Sequence, residues 1–171
     1  ELGISNDENE NESLDMINQN TQYLSKTIDD FKNFFKKSNY TNTIYTDDLL
    51  ARTLKLISSR LKDNNIEIIL NNENVEIDTY ENELIQIYIN ILNNSIDAFM
   101  EVNYNKYIFI ETKKVNSHLI IEIKDNAGGI ADDVIGKVFE PYFSTKDEKN
   151  GTGLGLYMCN EIVTKHLKGT I

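Results

Sequence analysis

Apolar residues recur along the chain with two different periods, one typical of helices and one typical of strands. Short apolar or alternating runs predict strands at 43–45, 66–70, 75–77, 107–115 and 119–124, the last two joined as a hairpin around Asn116-Ser117. Apolar intervals of three and four predict helices at 46–62, 79–102 and 154–167. Thr46 or Asp47 is the expected N-cap of the first helix and Asp78 that of the second. The order of elements predicts an α+β fold, a two-layer α/β sandwich in which helices cover one face of a mixed sheet.

Two of these helices have recognisable apolar faces. The predicted buried positions are Leu49, Leu50, Leu54, Ile57 and Leu61 in the first helix, and Leu84, Ile87, Ile91 and Ala98 in the second. The chain stops at 169–171, where a further strand is expected to begin, so the sheet is expected to be cut short.

The segment before residue 43 has a different pattern. Residues 1–11 are polar and acidic, and 38–42 is rich in turn-forming residues. Between them, 13–37 is predicted to be an amphipathic helix with a seam like that of a coiled coil, formed by Leu14, Ile17, Leu24, Ile28, Phe31 and Phe35. Either a partner helix or the chain's own domain could cover this seam. We therefore expect a boundary that separates 1–42 from a domain over 43–171.

Composition narrows the classes of function. The chain has 171 residues and a formal net charge of −11, which argues against nucleic acid as a partner because binding to phosphates needs clustered Lys and Arg. No apolar run is long enough to span a membrane and no signal-peptide pattern begins the chain, so a cytoplasmic location is expected. The single cysteine, Cys159, and the two histidines cannot form a structural zinc site.

A strip of polar residues lies along the second predicted helix. Asn90, Asn94 and Asp97 fall at i, i+4 and i+7, which places them on one ridge. An amide oxygen suits Mg²⁺ that is otherwise bound by phosphate and water. The alternative is a solvated polar face in an asparagine-rich chain.

Two glycine-containing segments follow. The sequence DNAGGI begins at Asp125, where a strand ends, and a carboxylate there could accept a hydrogen bond from the exocyclic amine of adenine. The alternative is an ordinary turn. The sequence GTGLGL (151–156) leads into an apolar helix, an arrangement suited to phosphate, although it is neither a P-loop nor a dinucleotide fingerprint.

Taken in order, these motifs carry a family resemblance. Asn94, the DNAGGI segment, the run FEPYFSTK (139–146) and GTGLGL strongly resemble the N box, first glycine box, F box and second glycine box of the GHKL ATP-binding superfamily, most closely in sensor histidine kinases. The resemblance covers about 43–171. It implies that ATP and Mg²⁺ are bound, with a mobile lid over about 131–152.

The resemblance also implies individual roles. Asn94 would coordinate Mg²⁺, Asp125 would bind the adenine amine, Gly129 would shape the adenine pocket, and the amides of Gly153, Leu154 and Gly155 would hold the phosphates. Asp97 would hold a metal-bound water, and Lys146 and Lys149 are candidates for phosphate contact. Ala127 stands where many of these kinases have glycine. The predicted nucleotide site comprises Asn90, Asn94, Asp97, Asp125, Gly129, Lys146, Gly153, Leu154 and Gly155.

Position 90 distinguishes two branches of the superfamily. Hydrolases that resemble gyrase or MutL carry a glutamate one helical turn before the metal-binding asparagine, where it activates water. Here Asn90 occupies that position and cannot accept the proton, so phosphoryl transfer to a side chain is favoured over hydrolysis. An ATPase of the same superfamily and a non-catalytic dimerisation or scaffold module remain the alternatives.

The N-terminal helix fits the kinase hypothesis. Its segment 27–35 resembles the second helix of the dimerisation and phosphotransfer domain of histidine kinases, which pairs into a dimeric four-helix bundle. Neither His118 nor His166 has the acidic neighbour and downstream proline of a phosphoacceptor. We therefore expect no catalytic residue and no autophosphorylation on histidine in this chain alone. The phosphoryl group would pass to a histidine on a missing helix and then to an aspartate of a response regulator. The intact protein would be a homodimer that reaches any membrane only through regions outside this chain.

Overall fold

The computed structural model describes residues 40–100, 102–146 and 151–171, and six positions of the N-terminal segment, 13, 14, 17, 18, 21 and 25. Those six positions are helical, but most of the predicted helix over 13–37 lies outside the described residues, as do 27–35 and Lys149. No helix within the described parts of the chain is both long and apolar enough to cross a membrane.

Within the described residues from 40 onward, five strands and three helices precede the final helix. In chain order they are β1 (Asn42–Tyr45), α1 (Thr46–Asp63), β2 (Ile66–Asn72), β3 (Glu76–Thr79), α2 (Glu81–Ala98), β4 (Lys106–Val115), β5 (His118–Asp125) and the short α3 (Asp132–Ile135). The final helix begins as α4 (Gly155–Glu161) and continues as a π-helical turn (Ile162–His166). The predicted order of strands and helices is confirmed.

The strands form two groups. β2 pairs in parallel with β4, and β4 pairs antiparallel with β5 through the predicted two-residue loop Asn116-Ser117, so these three strands make the expected mixed sheet. β1 and β3 pair antiparallel and form a separate two-stranded sheet. The α+β class is therefore confirmed.

One core lies between the helices and the inner face of the mixed sheet. Ile108, Ile110 and Thr112 alternate along β4 and are buried, as expected for a strand with one covered face. Against them pack residues of α1, α2 and the final helix, among which the most deeply buried are Leu49, Thr53, Tyr88, Leu92, Ile96, Cys159 and Ile162.

The buried face of α2 differs from the prediction in its last turns. Leu84 and Ile87 are buried as expected, but the stripe continues through Leu92, Ile96 and Phe99, whereas Ala98 is exposed. The prediction for Ala98 was wrong because the large side chain of Phe99 fills the core at the helix end. The helix also ends at Ala98 rather than at 102.

The predicted N-caps are also wrong. α1 is preceded by Tyr45 and α2 by Tyr80, and neither helix has a side-chain cap. The Thr46 hydroxyl instead bonds to the Glu73 carbonyl oxygen at 3.0 Å and accepts from the Val75 amide at 2.9 Å, and Asp78 accepts from Thr43 within the β1–β3 pair. Thr46 thus links the start of α1 to the segment 73–75, and Asp78 links β3 to β1, so neither side chain caps a helix.

Candidate functional site

The predicted polar strip on α2 forms one wall of the site. Asn90, Asn94 and Asp97 are all partly exposed on this helix. The Asn90 amide nitrogen donates to the carbonyl oxygen of Gly155 at 3.3 Å, which joins the strip to the start of α4. The Asn94 amide oxygen and one carboxylate oxygen of Asp97 both accept from the Lys146 ammonium, at 3.4 and 2.7 Å. The structure therefore brings α2, Lys146 and the glycine run together, although they are far apart in sequence.

Asp97 lies between two cationic side chains. Its other carboxylate oxygen accepts from the Arg60 guanidinium of α1 at 2.7 Å, and the same guanidinium donates to the neighbouring Asn93. Partial burial acts to raise the pKa of Asp97, but hydrogen bonds and charge from Lys146 and Arg60 outweigh it, so the pKa lies below its ordinary value. Asp97 is therefore ionised at neutral pH.

The segment 142–146 lies directly against the glycine run 151–153. The Tyr142 amide donates to the Gly153 carbonyl oxygen at 3.0 Å. A Cβ at Gly153 would lie 2.3 Å from the Tyr142 carbonyl carbon, and the φ of Gly153 is +64°. Only glycine permits this conformation and this close approach without strain. Gly151 is equally close to Ser144, whose Oγ would lie 2.3 Å from an added Cβ.

The three amides predicted to bind phosphate differ in their present partners. The Leu154 amide donates to the Thr152 hydroxyl at 3.3 Å. Within the described part of the chain, the amides of Gly153 and Gly155 donate to no protein acceptor. Gly153 and Gly155 thus leave donors that an anion could accept from.

The second predicted cluster surrounds Asp125 at the end of β5. One carboxylate oxygen accepts from the Ser95 hydroxyl at 2.8 Å, and the other accepts from the Ala127 amide at 3.1 Å. Since Ser95 follows Asn94 in α2, this bond fixes Asp125 beside the polar strip. Gly128 and Gly129 have φ of +120° and +82° with open space around them. Glycine is therefore favoured at both positions by the backbone conformation and not by close packing.

Three side chains that support the site were not predicted. Arg60 orients Asp97, and Ser95 orients Asp125. Asn126 joins two loops, since its amide group donates to the Asn105 carbonyl oxygen at 2.9 Å and accepts from the Tyr107 amide at 2.8 Å. The position of Ser95 beside Asn94 was a usable signal, but nothing local to Arg60 or Asn126 indicates such distant partners.

The single cysteine and the two histidines are not among the residues predicted for the site. Burial raises the pKa of the Cys159 thiol to about 11, a rise that an Asn90 hydrogen bond only partly offsets, so the thiol stays protonated. His118 is exposed at the start of β5, and His166 lies 3.0 Å from the buried carboxylate of Glu83.

No group of three or more His, Cys, Asp or Glu side chains within the described residues could hold a metal ion. Among the described residues, a metal at Asn94 would therefore not be held by a cluster of such side chains.

Comparisons with known proteins identify the family of the chain. The sequence profile of the family described as histidine kinase-, DNA gyrase B- and HSP90-like ATPase matches residues 79–171. Sporulation kinase C of Bacillus subtilis is 37% identical over 86 residues, which cover 50% of this chain and 19% of that protein. The sensor histidine kinase ZraS of Salmonella typhimurium is 29% identical over 147 residues, which cover 84% of this chain and 30% of that protein. The chain thus spans less than a third of the length of these curated relatives.

Solved structures show the same fold. The catalytic domain of histidine kinase ThkA superposes with a TM-score of 0.64 at 24% identity, over 72% of this chain and 80% of that one. A structure of ThkA in complex with the response regulator TrrA gives a TM-score of 0.65 at 21% identity, over 84% of this chain and 41% of that one. The chain belongs to the family of histidine kinase-, DNA gyrase B- and HSP90-like ATPases, and its relatives place it among the ATP-binding catalytic domains of sensor histidine kinases.

Proposed function

We propose that this chain binds Mg²⁺ and ATP at the cluster described above and donates the γ-phosphoryl group of ATP to a histidine on a separate helix. The observation that carries the proposal is the meeting of three segments, in which Lys146 bonds to Asn94 and Asp97 while its own segment lies on the Gly151–Gly153 backbone. The Asn94 and Asp97 oxygens there could face a metal ion, and the Lys146 ammonium and the glycine amides could face the negatively charged phosphates.

Asp125 is proposed to select adenine. Each of its oxygens already accepts one protein hydrogen bond, and a carboxylate oxygen has a further lone pair for an exocyclic amine. The positive φ of Gly129 turns the backbone away beyond Asp125. This conformation supports the proposed role of Gly129 in leaving space for a flat base.

The phosphates are proposed to lie at Gly153, Leu154 and Gly155. Among the described residues, the amides of both glycines have no acceptor, and the weak bond from Leu154 to Thr152 can be exchanged for one to phosphate. The helix α4 that follows has only seven residues before the π-helical turn, so we assign phosphate binding to these individual amides rather than to a helix dipole.

The donor set also fits Mg²⁺. In this structure the Asn94 and Asp97 oxygens already converge on one cation, the Lys146 ammonium, which shows that their positions suit a positive charge. Asn94 would be the direct ligand, and Asp97 would hold a metal-bound water. When bound, Mg²⁺ would neutralise phosphate charge that develops during transfer.

This chain is proposed to position ATP rather than to supply an acid or base. Asn90 donates its amide to Gly155 and cannot remove a proton from water, which favours a kinase over an ATPase. In the transfer, the bond from the γ-phosphorus to the bridging oxygen breaks, ADP leaves, and a bond forms to an imidazole nitrogen of the acceptor histidine. Alignment of these atoms is the main contribution we assign to the protein.

The acceptor and the next step lie outside this chain. His118 is exposed and His166 pairs with Glu83, and neither has the sequence context of a phosphoacceptor, so we propose a histidine elsewhere in the intact protein as the acceptor. The complex of ThkA with TrrA supports a response regulator as the next partner, whose aspartate would take the phosphoryl group. Dimerisation through the N-terminal helix, and any membrane attachment through regions outside this chain, complete the proposal.

The catalytic domain is proposed to extend over 43–171. The family profile begins at residue 79, but β1 pairs with β3 and the core includes buried side chains of α1. These contacts support including the elements before residue 79 in the same domain.

The function is tested with ATP labelled at the γ-phosphate. We expect ATP binding without labelling of the chain and with negligible phosphate release. Addition of a separate dimerisation and phosphotransfer domain from a related kinase should yield an acid-labile, base-stable phosphohistidine on the added domain. Steady phosphate release by the chain alone would instead support an ATPase, and absence of ATP binding would support a scaffold. Base-stable label on His118 or His166 would contradict the assignment of the acceptor.

A further inference from the structure

The Lys146 ammonium is bound by the side-chain oxygens of Asn94 and Asp97, to which the proposed function assigns the metal. It lies 2.7 Å from Asp97 Oδ2 and 3.4 Å from Asn94 Oδ1, and its side chain is 34% exposed. The Asp97 side chain is 32% exposed. Partial burial of both partners reduces their exchange with water, so this contact is stronger than a pair between extended surface side chains.

Contacts on both sides hold this arrangement in place. The Lys146 amide donates to Ser144 Oγ at 3.1 Å, and Ser144 in turn packs against Gly151. On the other side, Arg60 engages the second oxygen of Asp97 at 2.7 Å. The position of the ammonium thus depends on the backbone of the glycine run and on α1, not on one flexible side chain alone.

We propose that Lys146 is an internal competitor for the metal: its ammonium and a divalent cation are alternative occupants of the Asn94–Asp97 pair, and binding of the metal releases Lys146. This inference rests on the proposed function only in assigning the metal to that pair.

Electrostatics makes the two occupants exclusive. A lysine ammonium has three donors and no acceptor, so it cannot join the coordination shell of a metal. A divalent ion needs oxygens that are free to face it, and an ammonium held a few ångströms away would repel it strongly in this partly buried site. Arg60 does not compete in the same way, because it engages the opposite oxygen of Asp97.

The exchange has a consequence for nucleotide binding. Because the backbone of Lys146 is fixed beside Gly151, the released ammonium remains next to the glycine amides assigned to phosphate. A metal arriving with ATP supplies phosphate oxygens as new partners for Lys146, whereas a metal arriving alone supplies none. The chain should therefore bind a free metal weakly and a metal–nucleotide complex well.

The test uses Mn²⁺ alone, without nucleotide. Paramagnetic broadening of the backbone amide signals of residues 93–98 reports the apparent dissociation constant for the wild type and for Lys146→Met, which retains the aliphatic length. We expect Lys146→Met to bind Mn²⁺ about fivefold more tightly, since the metal no longer displaces an ion pair. Lys165→Met is the matched control: Lys165 also pairs with a carboxylate, that of Glu161, but lies outside this cluster. It should change the constant less than twofold.

A second measurement follows the Asp97–Lys146 ion pair itself rather than the bound metal. A carbodiimide joins a carboxylate to an amine in contact with it, so a crosslink between Asp97 and Lys146 should be found by peptide mass spectrometry and should decrease as Mn²⁺ is added. Equal Mn²⁺ affinity in wild type and Lys146→Met, a crosslink unaffected by Mn²⁺, or no broadening of 93–98 in either protein would each overturn the inference. If ATP and Mg²⁺ still bind together in those cases, the proposed function survives its failure.

Discussion

Replacement of Gly153 by alanine tests whether the contact between the segment 142–146 and the glycine run holds the site together. An added Cβ would lie 2.3 Å from the Tyr142 carbonyl carbon, 2.6 Å from its oxygen and 2.7 Å from the Phe143 nitrogen. These are backbone atoms, which cannot rotate away as a side chain does. The two segments would have to separate by roughly 1 Å to restore ordinary contact.

The magnitude follows from three contributions. A left-handed φ of +64° costs a residue with a Cβ about 1 kcal/mol relative to glycine. Loss of the 3.0 Å bond from Tyr142 to Gly153 costs about 1 kcal/mol. Forced separation of the packed segments adds about 1 kcal/mol. Gly153→Ala should therefore lower the free energy of unfolding by about 3 kcal/mol.

Two other glycines separate these contributions in a urea unfolding series. Gly128→Ala faces open space but has a φ of +120°, so it should show only the conformational cost, about 1 kcal/mol. Gly136→Ala has open space and a φ of −68°, so it should be neutral or slightly stabilising. ATP affinity measured on the same proteins should fall most for Gly153→Ala, since the glycine amides move.

Unfolding of Gly153→Ala with the same midpoint and slope as Gly136→Ala would contradict the predicted loss of stability. A loss no larger than that of Gly128→Ala would retain the conformational cost but contradict the close approach to Tyr142.

Three further predictions concern single groups. Asp97→Asn should lower the free energy of unfolding by about 0.5–1 kcal/mol at pH 7; because the folded pKa of Asp97 is lowered, the difference should begin to shrink near the ordinary aspartate pKa of about 4 and disappear only below the folded pKa, as measured by urea titrations across pH. Cys159, buried with a pKa of about 11, should react with a thiol reagent at pH 8 only after unfolding, and fast reaction of the folded chain would contradict its burial. Asp125→Ala should weaken ATP binding about tenfold and abolish the preference for ATP over GTP, and a retained preference would argue against the adenine assignment.

Local patterns predicted the elements well, because each element carries its own periodicity. The hairpin around Asn116-Ser117 follows from two alternating runs separated by two turn-forming residues, and it forms as expected. The division of the strands into two sheets could not be predicted. The pairing of β1 with β3 is a contact between segments that α1 and β2 separate in sequence, and no local pattern indicates it.

Predictions failed where a side chain bonds to a residue far away in sequence. Asp78 and Thr46 have the sequence context of N-caps, but in the structure they bond to Thr43 and to the Glu73 carbonyl oxygen. Ala98 fits the helical stripe by spacing alone, yet the larger Phe99 fills the core in its place. Spacing alone takes no account of side-chain volume, so it does not indicate which residue fills the core at a helix end.

For the candidate site, sequence order indicated which residues belong together but not how they are bonded. Asn94, Asp97 and Lys146 were all named from motifs and resemblance, and the structure brings these three together. Arg60 was missed because its link to Asp97 is a tertiary contact between α1 and α2 that neither helix shows alone.

The most direct measurement is calorimetric titration of ATP into the chain with and without Mg²⁺, with GTP for comparison and Asn94→Ala as the variant. We expect adenine-selective binding that Mg²⁺ strengthens in the wild type and no longer strengthens in Asn94→Ala. Absence of ATP binding, or binding with the same affinity for GTP and without dependence on Mg²⁺, would contradict the proposed site.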